Sequence, residues 1–136
     1  MKLYFLCFLL FGFLTLDLAK AQINWLQLDT IQPPNDLDNL WVKSLYQDSS
    51  EVSSYVIFVR KEVKTHKHLE HAEHVYILQG EGLMSLGEKE FKIKKGSMIF
   101  IPKNTFHSVK TTSKIPLKVI SIQAPFFDGK DRVFKE

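Results

Sequence analysis

The chain has 136 residues and carries 18 Lys and Arg against 15 Asp and Glu, a formal net charge of +3 at pH 7. This length indicates one domain with a single core, and the small net charge gives no reason to expect a nucleic acid or a membrane surface as a partner. The single cysteine, Cys7, excludes a disulfide-stapled fold, so core burial must hold the domain together.

The first 21 residues have the layout of a secretory signal peptide. Lys2 precedes an apolar run over 3–16, and Ala19 and Ala21 form a small-residue cleavage pattern. A membrane anchor is the alternative, but the run of roughly 14 apolar residues is shorter than the roughly 20 of a spanning helix. We therefore expect export to the periplasm or the exterior and a mature domain of residues 22–136, with no membrane segment after cleavage.

After this leader the sequence consists of short runs rich in β-branched and aromatic residues. No run is a convincing amphipathic helix, and Gly, Pro, Asn and Asp residues separate the runs at close intervals. The pattern predicts an all-β sandwich or barrel. The predicted strands are 23–28, 40–46, 54–63, 74–79, 82–87, 89–95, 97–102, 107–111 and 116–125.

Apolar residues of these strands are the expected core, since side chains fill the interior of any small barrel. The predicted core includes Phe58, Val75, Ile77, Phe100 and Val109. A solvated outer face is predicted for Tyr55, Arg60, Tyr76 and Gln79, although each could contact a polar substrate. The lysines of 89–95 alternate with apolar residues, which indicates a strand with one solvated face rather than a nucleic-acid site.

Four of the five histidines lie within residues 65–80. Alternation along an extended segment places His66 and His68 on one face, where both imidazoles can point at one spot. Glu73 is close by in sequence, and His107 opens another predicted strand downstream. A helical zinc-protease site is excluded, because neither H-E-x-x-H nor H-x-x-E-H occurs here. A pair of histidines so placed is half of a metal site that a sheet can build.

The spacing around these residues resembles the two sequence motifs of the cupin superfamily. Residues 66–80 resemble the first motif and residues 96–107 the second, in the family's order. The matching residues are His66, His68, Glu73, Gly80, Gly96, Pro102, Asn104 and His107. The resemblance implies a small antiparallel jelly-roll barrel, the double-stranded β-helix, which agrees with the strand pattern.

By this resemblance the metal ligands would be His66, His68, Glu73 and His107. Three neutral imidazoles and one carboxylate suit a divalent iron, manganese, nickel, cobalt or zinc ion, and an octahedral ion so held keeps open positions. A purely structural metal is less compatible with an open site. The other two clustered histidines, His71 and His74, are interpreted as surface residues.

Three positions differ from the family pattern. Arg60 and Asn104 stand where the two motifs usually have Gly, and Thr111 stands where the second motif usually closes with Asn. Asn tolerates a left-handed backbone better than most residues, so the turn at Asn104 is expected to form. Residues 124–133 are similar to the closing segment of many small cupins, with a turn at 128–129.

Two functions are open at this point. The first is a metal-dependent enzyme acting on a small organic or sugar-like molecule, as a dioxygenase with iron or as an isomerase or lyase with a Lewis-acid metal. Glu73 is a possible proton acceptor in such an enzyme. The alternative is a binding module that holds a small ligand or carbohydrate without turnover, and the fold alone cannot separate the two. Cupins commonly pair as dimers, and Trp25 and Trp41 are candidates for a homodimer interface.

Overall fold

The structure, a computed structural model, describes residues 25–47 and 51–136. These residues form one short 3-10 helix, Leu28–Thr30, and β-strands. The strands are β1 (Leu40–Gln47), β2 (Ser53–Val59), β3 (Glu62–Lys67), β4 (Ala72–Gln79), β5 (Glu81–Leu86), β6 (Lys89–Lys94), β7 (Met98–Ile101), β8 (His107–Thr111), β9 (Leu117–Ala124) and β10 (Val133–Phe134). The predicted leader over 1–21 lies outside this part of the chain. Within it, no helix is long and apolar enough to cross a membrane.

The strands form two five-stranded antiparallel sheets. The first has the order β1-β2-β9-β4-β7 and the second the order β10-β3-β8-β5-β6. Neighbours in each sheet are mostly distant in sequence, as when β9 lies between β2 and β4. The chain therefore crosses repeatedly from one sheet to the other, and the predicted all-β jelly-roll barrel is confirmed.

Three strand predictions need correction. Residues 25–27 have no regular structure and Leu28 begins the 3-10 helix, so the predicted strand over 23–28 is wrong for the residues described. The run over 54–63 is two strands, because the chain bends at residues 60–61. The two residues of β10 were not predicted, since so short an element has no periodicity to read.

Asn39 holds the bend between β2 and β3. Its side-chain oxygen accepts hydrogen bonds from the backbone N–H groups of Lys61 (3.1 Å) and Glu62 (2.9 Å). Arg60 donates from Nε to the carbonyl of Leu37 at 2.7 Å, and its backbone N–H donates to the carbonyl of Asn39. These bonds stabilise the bend at the position where the first motif usually has Gly.

An apolar cluster fills the space between the sheets. It contains Val59, Ile77, Met84, Ile93, Ile99, Ile101, Leu117 and Val119. The prediction for Ile77 is confirmed, and Val75 and Val109 are partly buried against this cluster. The side chains along each strand alternate between this interior and the outer face of the sheet.

Two of the predicted core residues lie on outer faces. Phe100 is 52% exposed, because Ile99 and Ile101 take the inward positions of β7. Phe58 is buried, but its ring lies 5.8 Å from that of Trp41, on the face of β2 opposite to Ile57 and Val59. An apolar residue of a strand can lie on either face of the sheet, and the strand register decides which face it takes.

The predictions of solvent-exposed polar side chains are confirmed in part. Arg60 and Tyr76 are exposed, as expected, and on β6 the exposed Lys92 and Lys94 flank the buried Ile93. Tyr55 and Gln79 are only half-buried, and their side chains donate to the carbonyls of Phe127 (2.8 Å) and Pro116 (3.4 Å).

The alternation along β7 gives a test of the register. We expect Ile101→Ala to lower the free energy of unfolding by about 2–5 kcal/mol, because it opens a cavity in a close-packed core. The adjacent Phe100→Ala removes a larger but half-exposed side chain and should cost less than about 1 kcal/mol. Urea unfolding followed by circular dichroism measures both. The opposite ranking would show that β7 is shifted by one residue.

Candidate metal centre

The pairing of β3 with β8 places His66 directly opposite His107. Their ring centroids are 4.2 Å apart, and the ring of His68, two residues after His66, lies 5.0 Å from the first and 5.3 Å from the second. All three histidines are buried. One ligand nitrogen from each ring lies within 4.8 Å of the others, a spacing that could hold one metal ion.

Each of the three rings contacts a backbone carbonyl through Nδ1, at distances of 2.5 to 3.0 Å. The acceptors are the carbonyls of Lys64 for His66, Asp131 for His68 and Thr105 for His107. A carbonyl only accepts, so Nδ1 carries the proton and the lone pair of a neutral ring lies on Nε2. This hydrogen-bonding arrangement is typical of histidines that bind a metal through Nε2.

Glu73 approaches the histidines from β4, in the other sheet. Its Oε2 lies 3.4 Å from Nε2 of His68 and 3.6 Å from Nε2 of His107. The Ser121 hydroxyl donates to the other carboxylate oxygen, Oε1, at 2.5 Å. The structure thus brings together all four residues predicted as metal ligands.

The surroundings set the charges of these groups. Burial and the neighbouring His107 lower the pKa of His66 to about 4, so this ring is neutral at pH 7. Burial would raise the pKa of Glu73, but His107, His68 and Ser121 together lower it well below its usual range. Burial would lower the pKa of His68, but Glu73 and the Asp131 carbonyl outweigh it and raise this pKa. The carboxylate is therefore ionised beside the imidazoles.

The buried Nε2 of His68 has no hydrogen-bond partner in the part of the chain that the structure describes. The 3.4 Å to Glu73 is too long for a well-formed bond. Buried polar atoms without partners are rare in proteins, and a cation at this point would satisfy the nitrogen. Three imidazole nitrogens and one carboxylate fit a divalent first-row transition metal.

Comparison with known proteins agrees with this geometry. The sequence matches the cupin domain family over residues 56–123, half of the chain. The chain belongs to the cupin superfamily. This cupin is 29% identical to an uncharacterised protein from Methanocaldococcus jannaschii over 111 residues, which cover 77% of this chain and 89% of that protein.

Two further matches cover a curated enzyme and a solved structure. The mannose-1-phosphate guanylyltransferase of Salmonella muenchen is 35% identical over 68 residues, which are 50% of this chain but only 14% of that enzyme. A solved structure of a protein from Klebsiella pneumoniae with a double-stranded β-helix domain superposes with a TM-score of 0.69 at 16% identity. That match covers 85% of this chain and 99% of the other, and it shows the fold.

The positions at which this cupin differs from the family pattern have local explanations. Asn104 has φ +58, the left-handed conformation expected of it, and its backbone N–H donates to the carbonyl of His68 at 2.6 Å. This bond ties the turn before His107 to the first motif. Thr111 donates from Oγ1 to the carbonyl of Val59 at 2.8 Å, which anchors the end of β8 to the end of β2.

An apolar cavity of about 80 Å³ adjoins the four predicted ligands. Side chains of the interior cluster, such as Ile77 and Leu117, form most of its wall. Charged and hydrogen-bonding groups are few, and the predicted ligands supply most of them. A small molecule in this space would therefore meet the histidines within a largely apolar surface.

His71 was predicted at the surface and is buried, so that prediction is wrong. Its Nδ1 contacts the Asp131 carboxylate at 2.6 Å and its Nε2 contacts the carbonyl of Phe126 at 2.8 Å. Both partners offer acceptor oxygens, so the ring is held at both nitrogens between the closing segment and the loop after His68. The exposed His74 agrees with the prediction, and its ring lies beside Phe100.

Asp131 is the residue that sequence reasoning missed. Its carboxylate accepts from the backbone N–H groups of Leu69 (2.9 Å) and Glu70 (2.8 Å) as well as from His71, while its carbonyl holds His68. Burial would raise the pKa of Asp131, but the bonds from His71, Leu69 and Glu70 lower it to about 2. The only signal in the sequence was its place in the closing segment.

We expect Asp131→Ala to weaken metal binding about 10- to 100-fold, the usual effect of removing a group that orients a ligand. The change releases the loop after His68 and with it the carbonyl that fixes the His68 ring. Competition titration of zinc against a chromogenic chelator measures the affinity.

Asp128→Ala is the matched control, because the Asp128 carboxylate contacts only Lys130 among the residues described and has no hydrogen bond or ion pair with a predicted ligand. Equal affinities of the two variants would contradict a positioning role for Asp131.

Proposed function

We propose that this cupin is a metal-dependent enzyme that holds one divalent transition metal, iron, manganese, nickel, cobalt or zinc, and acts on a small organic or sugar-like molecule. The supporting observation is that three rings, each held at Nδ1 by a backbone carbonyl, face one point beside an apolar cavity. A purely structural metal is less favoured, because closed sites do not adjoin a cavity of this kind.

The cavity limits the size of the substrate. A volume of about 80 Å³ holds only a few non-hydrogen atoms, so a larger molecule would place its remainder outside. The similarity to a mannose-1-phosphate guanylyltransferase supports a sugar-like substrate, although it covers only 14% of that enzyme. The proposed substrate is therefore defined only by its class, a small molecule.

The predicted ligands and the apolar wall would have different roles in such an enzyme. His66, His68, His107 and Glu73 would hold the metal, which when bound supplies a Lewis acid for a carbonyl or hydroxyl oxygen, or with iron a site for oxygen chemistry. The lowered pKa of Glu73 makes it a weak base, which favours a ligand over a proton acceptor. The apolar wall excludes water and strengthens the electrostatic interactions of the bound substrate.

Export and homodimer formation remain predictions. Trp25 is 78% exposed, which is compatible with a place in an interface, whereas the ring of Trp41 packs against Phe58 within the domain. Size-exclusion chromatography with light scattering measures the oligomeric state. N-terminal sequencing of the secreted protein measures cleavage.

Elemental analysis of the purified protein tests the metal. We expect about one equivalent of a transition metal in the wild type, and its loss in both His66→Ala and His107→Ala, because each variant removes one nitrogen of the shared site. His74→Ala is the control, since this histidine is exposed beside Phe100 on the outer face of β4, opposite to the face of its neighbour Glu73.

A wild-type protein that stays metal-free after anaerobic reconstitution with iron, manganese, cobalt, nickel and zinc would overturn the proposal of a metal-dependent enzyme. Metal binding without turnover of any small-molecule substrate would favour the binding module.

A further inference from the structure

Apart from Ser108, two polar side chains line the cavity and are not among the predicted metal ligands. They are Gln123 on β9 and Arg132 just before β10. Each has a group with no assigned role in holding a metal, and both lie beside the histidine cluster.

Gln123 has a buried acceptor that is not used. It stands opposite Glu73 in the pairing of β9 with β4, is 2% exposed, and donates from Nε2 to Oγ of Ser121 at 3.3 Å. Ser121 gives its own proton to Glu73, so its oxygen can only accept from Gln123, which fixes the orientation of the amide. Among the residues described, Oε1 then has no hydrogen-bond partner. A donor from a ligand in the cavity would satisfy it.

Arg132 lies on the same side of the sheet as the predicted ligands. Phe134 is opposite His66 in the pairing of β10 with β3, and Arg132, two positions earlier, lines the cavity together with the predicted ligands. The guanidinium lies 5.5 Å from the ring centre of Phe127, whose ring is itself 5.2 Å from that of His68.

The charge of Arg132 acts on the site. After burial and the neighbouring histidines, its positive charge also contributes to the lowered pKa of His66. The side chain is exposed and forms no ion pair within the described ranges. An arginine at the edge of a cavity, with its planar fork of donors available, suits an oxyanion.

We propose that Gln123 and Arg132 determine ligand specificity, and that the ligand is a small hydroxylated oxyanion, with a carboxylate or phosphate-type group bound by Arg132 and a hydroxyl that donates to Gln123. This inference rests on the proposed function, because it names the substrate class of the same site. The oxyanion lies at the exposed edge, where Arg132 is, and the hydroxyl lies inside, where Gln123 is buried.

Isothermal titration calorimetry with three probes of similar shape tests this assignment. Lactate carries both groups, propionate lacks the hydroxyl, and lactamide lacks the charge. The probes are titrated into zinc-loaded wild type, Arg132→Gln and Gln123→Met, after melting temperature and zinc content have shown that each variant is folded and loaded.

The two variants should lose affinity for different probes. Arg132→Gln should weaken the binding of lactate and propionate about tenfold or more and leave the affinity for lactamide unchanged, because only the anions lose a charge-assisted bond. Gln123→Met should weaken the binding of lactate and lactamide about fivefold, because both donate a hydrogen bond from a hydroxyl group. The affinity for propionate, which has no hydroxyl, should be unchanged. A further titration with 1-hydroxyethylphosphonate distinguishes the two kinds of oxyanion. Tighter binding than that of lactate indicates a phosphate-type ligand, and weaker binding indicates a carboxylate.

Some outcomes would overturn the assignment. They are an equal loss for all three probes, no loss for any probe, or no binding of lactate and its phosphonate analogue to the wild type. Failure of the proposed function is recognised separately, since zinc stoichiometry is measured before any probe is added. A protein that takes up one zinc but shows none of the selective losses keeps its metal site and loses this substrate class.

Discussion

The register between β3 and β8 is the constraint on which the candidate centre depends. It sets His66 opposite His107, and an irregularity between Val63 and His66 adjusts the pairing just before this point. Since side chains alternate along a strand, a slip of β3 by one residue would turn His66 out of the interior and away from His107. Glu73 depends in the same way on the pairing of β4 with β9, which also sets Gln123 beside it. The two sheets therefore have to pack in one register before four donors can converge.

Burial gives this convergence its chemical character. Three imidazoles and a carboxylate in a mostly apolar wall cannot rely on water for their hydrogen bonds, so each has a partner within the protein. Backbone carbonyls take the Nδ1 protons, and Ser121 takes one oxygen of Glu73. Among the buried side chains that the structure describes, the atoms without a hydrogen-bond partner are Nε2 of His68 and Oε1 of Gln123, and both residues line the cavity. Hydrogen bonding of these buried side chains is thus complete except beside the cavity.

The strand pattern predicted the barrel, because alternation is a local signal, and the resemblance to the cupin motifs implied that His66, His68, Glu73 and His107 share one site. Prediction from sequence failed where long-range packing decides. Phe100 and Ile101 are equally apolar neighbours, and only the pairing of β7 with β4 shows which faces inward. His71 looked like a loop histidine because its partners, Asp131 and the carbonyl of Phe126, lie 60 and 55 positions away. Ser121 and Gln123 have ordinary local sequence, so nothing in their neighbourhood marked them, and only its place in the closing segment marked Asp131.

The bond between His68 and the Asp131 carbonyl spans 63 positions, and this separation has a consequence for assembly. Contacts between residues so far apart form late, since the entropy of closing the intervening loop opposes them. Until the closing segment has docked, the His68 ring can rotate, and an ion captured early would exchange rapidly with the surroundings. A metal held as proposed would be retained firmly only once that segment is in place. Its retention would then be a mark of a fully folded molecule.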